Sequence, residues 1–241
     1  MAQAFGKIAH VLPLSLCDYP GKLAAVAFFA GCNLRCPFCY NAELVLPELV
    51  EGLSPWAFAR VRAWLAERTG FLDGVVLTGG EPTLSPDLVP FARDLKGMGF
   101  LVKLDTNGTH PEVLAELLEK RLLDHVALDL KAPFSRYAEF VGLREGGMVV
   151  AAVRESLALL RDHAPDYEVR TTVAPGLGRA DLLAVAQAVA GAKRYVLQPF
   201  WAPKEKRLVE ESWRDRPALG VGELRALLPE LSRILPVELR A

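Results

Sequence analysis

The feature that most constrains this chain is a regular alternation of short apolar runs with longer amphipathic ones. Residues 22–31 (KLAAVAFFAG), 73–78 (DGVVLT), 100–105 (FLVKLD), 124–130 (DHVALDL), 167–173 (YEVRTTV) and 194–198 (RYVLQ) are short and apolar, and most are rich in β-branched or aromatic residues. Helical patterns lie between or beyond them at 55–68, 86–97, 112–120, 149–163, 180–190 and 222–235. Ser54 before Pro55 and Ser85 before Pro86 read as N-caps with proline at the first helical position. Strands this apolar must be covered on both faces, which predicts an α/β fold with parallel strands and right-handed crossovers. Six such units are too few for a standard eight-stranded closed barrel. The choice is between a doubly wound sheet and an open, curved partial (β/α)6 barrel. No Gly-, Ser- or Pro-rich linker divides the chain, so 1–241 reads as a single domain, its core at about 20–200 and a C-terminal helical extension at about 201–241.

Charge narrows the function. Twenty-eight Lys and Arg face 29 Asp and Glu, a net charge of −1, which lacks the basic footprint of a nucleic-acid binder. Residues 1–16 carry Lys7 and His10 in a proline-interrupted stretch, and nowhere do eighteen apolar residues run together. The expectation is a cytoplasmic protein with no membrane association. In a reducing compartment cysteines serve as metal ligands or catalytic groups more often than as staples, and three of the four lie within 32–39.

Those three, Cys32, Cys36 and Cys39, form a Cys-x3-Cys-x2-Cys run (GCNLRCPFCY, 31–40) directly after the first strand. Three thiolates so spaced can wrap one [4Fe–4S] cluster and leave one iron open to a further ligand. The spacing also admits a structural zinc site completed by Cys17 or a histidine, although the zinc patterns use paired Cys-x2-Cys arms and a second arm is missing. Cys17, fifteen residues upstream, reads more readily as a small buried hydrophobe than as a fourth ligand.

Other polar residues cluster where strands end, the edge at which α/β sheets gather functional groups. Gly79 and Gly80 would let a backbone approach a ligand, or simply make a tight strand-to-helix turn; Glu81 offers a carboxylate to a ligand ammonium. Asp105 and Asp129 close apolar strands and each needs a partner if buried. Lys131, two residues past Asp129 and so on the same side of an extended strand, is a candidate, as a structural pair or as part of a site. Phe38 and Tyr40 alone read as loop aromatics packed on the sheet. The stretch 201–213 (WAPKEKRLVEESW) reads as a solvated loop. The four histidines share no spacing and receive no role.

The cysteine run with an aromatic residue before its last cysteine, followed after the second strand by Thr78-Gly79-Gly80-Glu81-Pro82, resembles the radical S-adenosylmethionine (radical SAM) superfamily. Within it, Ser15 to Lys22 (SLCDYPGK), Asp105-Thr106-Asn107-Gly108 and Asp129-Leu130-Lys131 resemble the glycyl-radical-enzyme activases, most of all the longer form that activates anaerobic ribonucleoside-triphosphate reductase. The resemblance runs from about residue 7 to 200. It implies a [4Fe–4S] cluster on Cys32, Cys36 and Cys39, with SAM bound at the open iron and cleaved by one electron to a 5′-deoxyadenosyl radical. It implies that Gly79, Gly80 and Glu81, with Asp129, Leu130 and Lys131, lie at the methionine end of SAM. Asp105 and Asn107 would meet its carboxylate region, its ribose or a cation. Cys39 with Phe38 and Tyr40 would edge the adenine pocket, and Gln198, like Arg170, Thr171 and Thr172, would face the mouth. The implied partners are a glycyl-radical enzyme as protein substrate and a reducing donor such as a flavodoxin or ferredoxin. Entry of a protein loop to the cluster from the side favours the open partial barrel. A radical SAM enzyme acting on a small molecule or peptide, and a zinc-stabilised adaptor without redox chemistry, are the alternatives.

Overall fold

The computed structural model describes residues 6–241; the first five residues of the 1–16 stretch lie outside that part. Eight strands form one sheet in chain order: β1 (Ile8–Ser15), β2 (Ala24–Phe29), β3 (Gly74–Gly79), β4 (Leu101–Thr106), β5 (His125–Asp129), β6 (Tyr167–Val173), β7 (Tyr195–Pro199) and β8 (Val237–Leu239). The six expected strands are β2 to β7, all parallel to one another. Two flanking strands extend them. β1 pairs antiparallel with β2, and β8 pairs parallel with β7, so the segment 201–241 adds a sheet strand to its expected helix. Among the described residues no pairing joins β8 back to β1. Phe28 of β2, Asp105 of β4, Arg170 of β6 and Arg240 beyond β8 nevertheless line one cavity, which requires the sheet to curve. The fold is an open partial barrel.

Nine helices occupy the described connections: α1 (Ala42–Val45), α2 (Pro47–Val50), α3 (Phe58–Ala66), α4 (Leu88–Gly97), α5 (Pro111–Glu119), α6 (Tyr137–Val141), α7 (Gly147–His163), α8 (Arg179–Ala188) and α9 (Val221–Leu231). Two begin later than their serine caps suggested. The Trp56 N–H donates to the Ile8 carbonyl (2.8 Å), which holds residues 54–57 against β1 and delays α3 to Phe58. Ser85 accepts from the Asp87 N–H (3.3 Å) after a 3-10 turn at Pro82–Leu84, and α4 starts at Leu88.

Strand alternation sorts the sheet's two faces. Ala25, Ala27, Phe29, Val75, Leu77, Val102, Leu104, Val126 and Leu128 pack under the helices in the main core. On the concave face, Ala24, Val26 and Val76 make a small apolar cluster with Tyr19, from the loop after β1. The Tyr19 ring stands where a Cβ on Gly74 would come within 3.1 Å of it, and lies 6.0 Å from the His125 ring, so it closes the barrel floor. Above that floor the concave face is charged.

Candidate active site

A cavity of about 670 Å³ opens at the carboxyl ends of the strands. Cys32, Cys36 and Cys39 line it together, from the loop that leaves β2. The loop is held from several sides: Gly31 N–H to the Leu44 carbonyl (2.7 Å), Arg35 N–H to Val141 (3.0 Å), and the Arg35 guanidinium to the carbonyls of Cys32 (2.6 Å) and Leu34 (2.8 Å). The fourth hold corrects the reading of 201–213 as a solvated loop. Val209 and Glu210 donate their N–H groups to the carbonyls of Cys39 (2.9 Å) and Pro37 (3.0 Å), and Lys206 pairs with Glu43. Trp213 is only 5% exposed and packs on Phe140 (5.7 Å between ring centroids) and on Phe38 (6.1 Å). Arg214 braces this strap by donating to the carbonyls of Ala202, Pro203 and Lys206.

Burial pushes the Cys32 thiol up to about 12 and raises Cys36 and Cys39 as well, so a metal must displace their protons to bind. No three Cys, His, Asp or Glu side chains among the described residues converge tightly enough for a single ion. Three thiols on one cavity wall are the ligand set that a [4Fe–4S] cluster with one open iron takes. Cys17, exposed beside Ser15 and Asp18, is not among the cavity-lining residues.

Gly79 and Gly80 line the cavity, but the close approach they permit is first to the chain itself. A Cβ on Gly80 would fall 2.0 Å from the Gly31 carbonyl oxygen, and one on Gly79 2.5 Å from the Phe29 backbone. Glu81 is fully buried and already accepts from Thr83 N–H (3.1 Å) and Oγ1 (2.6 Å), Thr106 Oγ1 (2.7 Å) and Asn107 N–H (2.7 Å). It ties the end of β3 to the end of β4. Asn107 continues the tie to the cysteine loop, donating from Nδ2 to Asn33 Oδ1 (3.0 Å).

The two strand-end aspartates meet through Arg170 of β6. Its guanidinium donates to Asp129 (2.8 Å) and Asp105 (3.2 Å); Lys131 donates to Asp129 (2.9 Å), and buried Lys103 pairs with Asp105. Burial alone would raise the Asp129 carboxyl, but Arg170 and Lys131 outweigh it and hold it below the usual carboxylate range. Asp105 is lowered in the same way by Arg170 and Lys103 against burial. Gln198, paired in register with Thr172, lines the cavity. Leu130 does not: its side chain is buried in the main core, and its carbonyl accepts from Thr171 Oγ1 (2.7 Å). Phe38 edges the cavity from the core, whereas Tyr40 stands at the rim, edge-on to Trp201 at 6.1 Å.

Lys103, Glu168 and Arg240 belong to this charged interior and were not singled out from the sequence. Their signal was present: Lys103 and Asp105, and Glu168 and Arg170, sit two apart in strands, so each pair shares a face. No comparable pattern announces Arg240.

Residues 26–189 match the family model of the radical SAM superfamily. The chain belongs to that superfamily, whose members use a [4Fe–4S] cluster and S-adenosylmethionine. A Methanocaldococcus jannaschii protein that carries the provisional name of a glycyl-radical enzyme activating enzyme is 36% identical over 223 residues, covering 91% of this chain and 89% of that one. The pyruvate formate-lyase-activating enzyme of Clostridium pasteurianum is 32% identical over 136 residues, about half of each chain (52% and 52%). In fold, Streptococcus suis SuiB bound to S-adenosylmethionine superposes with a TM-score of 0.65 at 12% identity, covering 87% of this chain and 48% of that one.

Proposed function

We propose that this radical SAM enzyme installs a glycyl radical on a partner enzyme, of which anaerobic ribonucleoside-triphosphate reductase is the type favoured by the sequence. The carrying observation is the open sheet: among the described residues no pairing joins β1 to β8, so the strands do not close into a ring around the cavity lined by Cys32, Cys36 and Cys39. Likeness over nine-tenths of both chains to the M. jannaschii protein supports the same reading. Bound here, the cluster and SAM would supply, on receipt of one electron from a donor such as a flavodoxin or ferredoxin, the radical chemistry that removes a hydrogen atom from the partner's glycine.

The chain's own residues bind, orient and exclude. Cys32, Cys36 and Cys39 would hold the cluster. Arg170 and Lys131, fixed by Asp105 and Asp129, present cations to an anionic group in the cavity, the kind that an amino-acid carboxylate carries. Tyr19, packed with Ala24, Val26 and Val76, closes the floor. Tyr40 and Trp201 form the aromatic rim that an entering loop would pass.

The test is anaerobic iron–sulfide reconstitution, then incubation with SAM, a reductant and purified anaerobic ribonucleoside-triphosphate reductase. The expected result is 5′-deoxyadenosine together with a glycyl EPR doublet on the partner, both lost in Cys36→Ala. Cleavage stimulated by a small molecule with no protein radical overturns the activase reading. Equal cleavage by wild type and Cys36→Ala overturns the ligand assignment.

A further inference from the structure

The barrel interior contains a carboxylate that nothing near the cavity mouth explains. Glu168 of β6 is wholly buried, on the same face as Arg170 two residues on. Its partner comes from far along the chain. Arg240, just beyond β8, reaches into the open barrel and grips it with two parallel hydrogen bonds, Nη1 to Oε1 at 2.8 Å and Nη2 to Oε2 at 2.9 Å. The Arg240 N–H also donates to the Leu197 carbonyl (2.9 Å), which fixes the residue at the edge of the sheet. Arg240 itself lines the cavity.

Three carboxylates and four cations share this interior: Asp105, Asp129 and Glu168 with Lys103, Lys131, Arg170 and Arg240. The balance between them has one weak point. Lys131 is committed to Asp129, and Arg170 bridges both aspartates; Glu168, on the same face two residues before Arg170, is attracted, besides Arg240, by Arg170 first and then by Lys103. Without Arg240, Glu168 would be left as an uncompensated buried charge, a strongly destabilising state that a turn of Arg170 toward it, away from the aspartates, would relieve.

We propose that Arg240 is a positioning residue for SAM: by neutralising Glu168 it keeps Arg170 on Asp105 and Asp129, facing the cavity. This makes the β8 segment part of the cofactor site, although it lies outside residues 26–189 that match the superfamily. The inference rests on the cavity being the SAM site and is independent of which partner receives the radical.

The discriminating experiment is equilibrium dialysis of SAM against cluster-loaded wild type, Arg240→Met, Glu168→Gln and the double variant, with melting temperatures of the cluster-free proteins alongside. Arg240→Met should weaken SAM binding by about tenfold, the size of coupling a packed network transmits. Its KM for SAM should rise while kcat at saturation stays near wild type. Glu168→Gln alone should bind near normally, because Arg170 then has no competing carboxylate. The double variant carries no orphan charge and so folds even where Arg240→Met does not; its SAM affinity should return to within about threefold of wild type. A folded double variant that binds as weakly as Arg240→Met shows that Arg240 merely docks β8, and overturns the proposal. Unchanged affinity in Arg240→Met overturns it equally.

Discussion

Truncating Trp213 tests whether the strap at 201–216 governs the cysteine loop. Trp213 ends the 3-10 turn Glu211–Trp213, and its ring packs on both Phe38 and Phe140, which also touch each other, with the Arg216 guanidinium 4.6 Å from the ring centroid. Replacing a buried tryptophan by alanine costs about 3–5 kcal/mol. The strap is not a strand of the sheet; it joins the cysteine loop through two N–H groups, the Lys206–Glu43 pair and this ring. Much of the loss should therefore fall on local opening of the strap rather than on global unfolding. At about 1.4 kcal/mol per factor of ten, 3 kcal/mol raises the open population about 100-fold. The assay is anaerobic iron release from the reconstituted protein to a chelator, followed by absorbance, beside a urea titration of the cluster-free protein. Release should accelerate by about two orders of magnitude in Trp213→Ala, and Trp213→Phe should recover most of the difference. Release within about threefold of wild type, in a variant shown to be folded, would refute the idea that this ring seals the loop.

Three further perturbations follow from the same geometry. Gly80→Ala drives a methyl into the Gly31 carbonyl at 2.0 Å, so it should lower the melting temperature and abolish SAM cleavage, whereas Gly97→Ala, with open space around its Cβ, should lower neither. Asp129 has a folded pKa below its unfolded value of about 3.9, so its stabilisation is complete above that value and is lost as pH falls through the depressed one. Asp129→Asn should thus be less stable at pH 7 and show a shallower acid limb below about pH 4 in pH-dependent denaturation; an unchanged limb would remove Asp129 from the network. Trp201 is 66% exposed, so Trp201→Ala should change stability by no more than about 0.5 kcal/mol while raising the KM for the protein substrate, measured by glycyl-radical yield against partner concentration.

The six parallel strands were legible because burial on both faces leaves a nearly continuous apolar run. β1 was missed because its sequence IAHVLPLS carries a proline and a histidine and leaves Leu12 and Leu14 exposed, so no buried period of two stands out. β8 was missed because three residues in a polar context carry no periodic signal. In the site, the cysteines and strand-end residues announced themselves by position. The roles of Glu81 and Gly80 did not, since both answer to backbone supplied by distant segments: Glu81 accepts from the N–H of Asn107, and Gly80 leaves room for the carbonyl of Gly31. Trp213 looked like surface because its neighbours in sequence are charged; only the fold brings Phe38 and Phe140 against it.

The sheet's spatial order is identical to its chain order. During synthesis each strand can dock on the one already made, without waiting for a later segment to insert between them, which keeps the search local at every step. The interior charges do not share that independence. Asp105, Asp129 and Arg170 can assemble once β6 emerges, but Glu168 enters the barrel with that same strand and stays unanswered until Arg240 has left the ribosome. While the roughly seventy residues between Glu168 and Arg240 are being made, the nascent barrel carries a buried acid without the guanidinium that grips it, so the neutrality of its interior waits on β8.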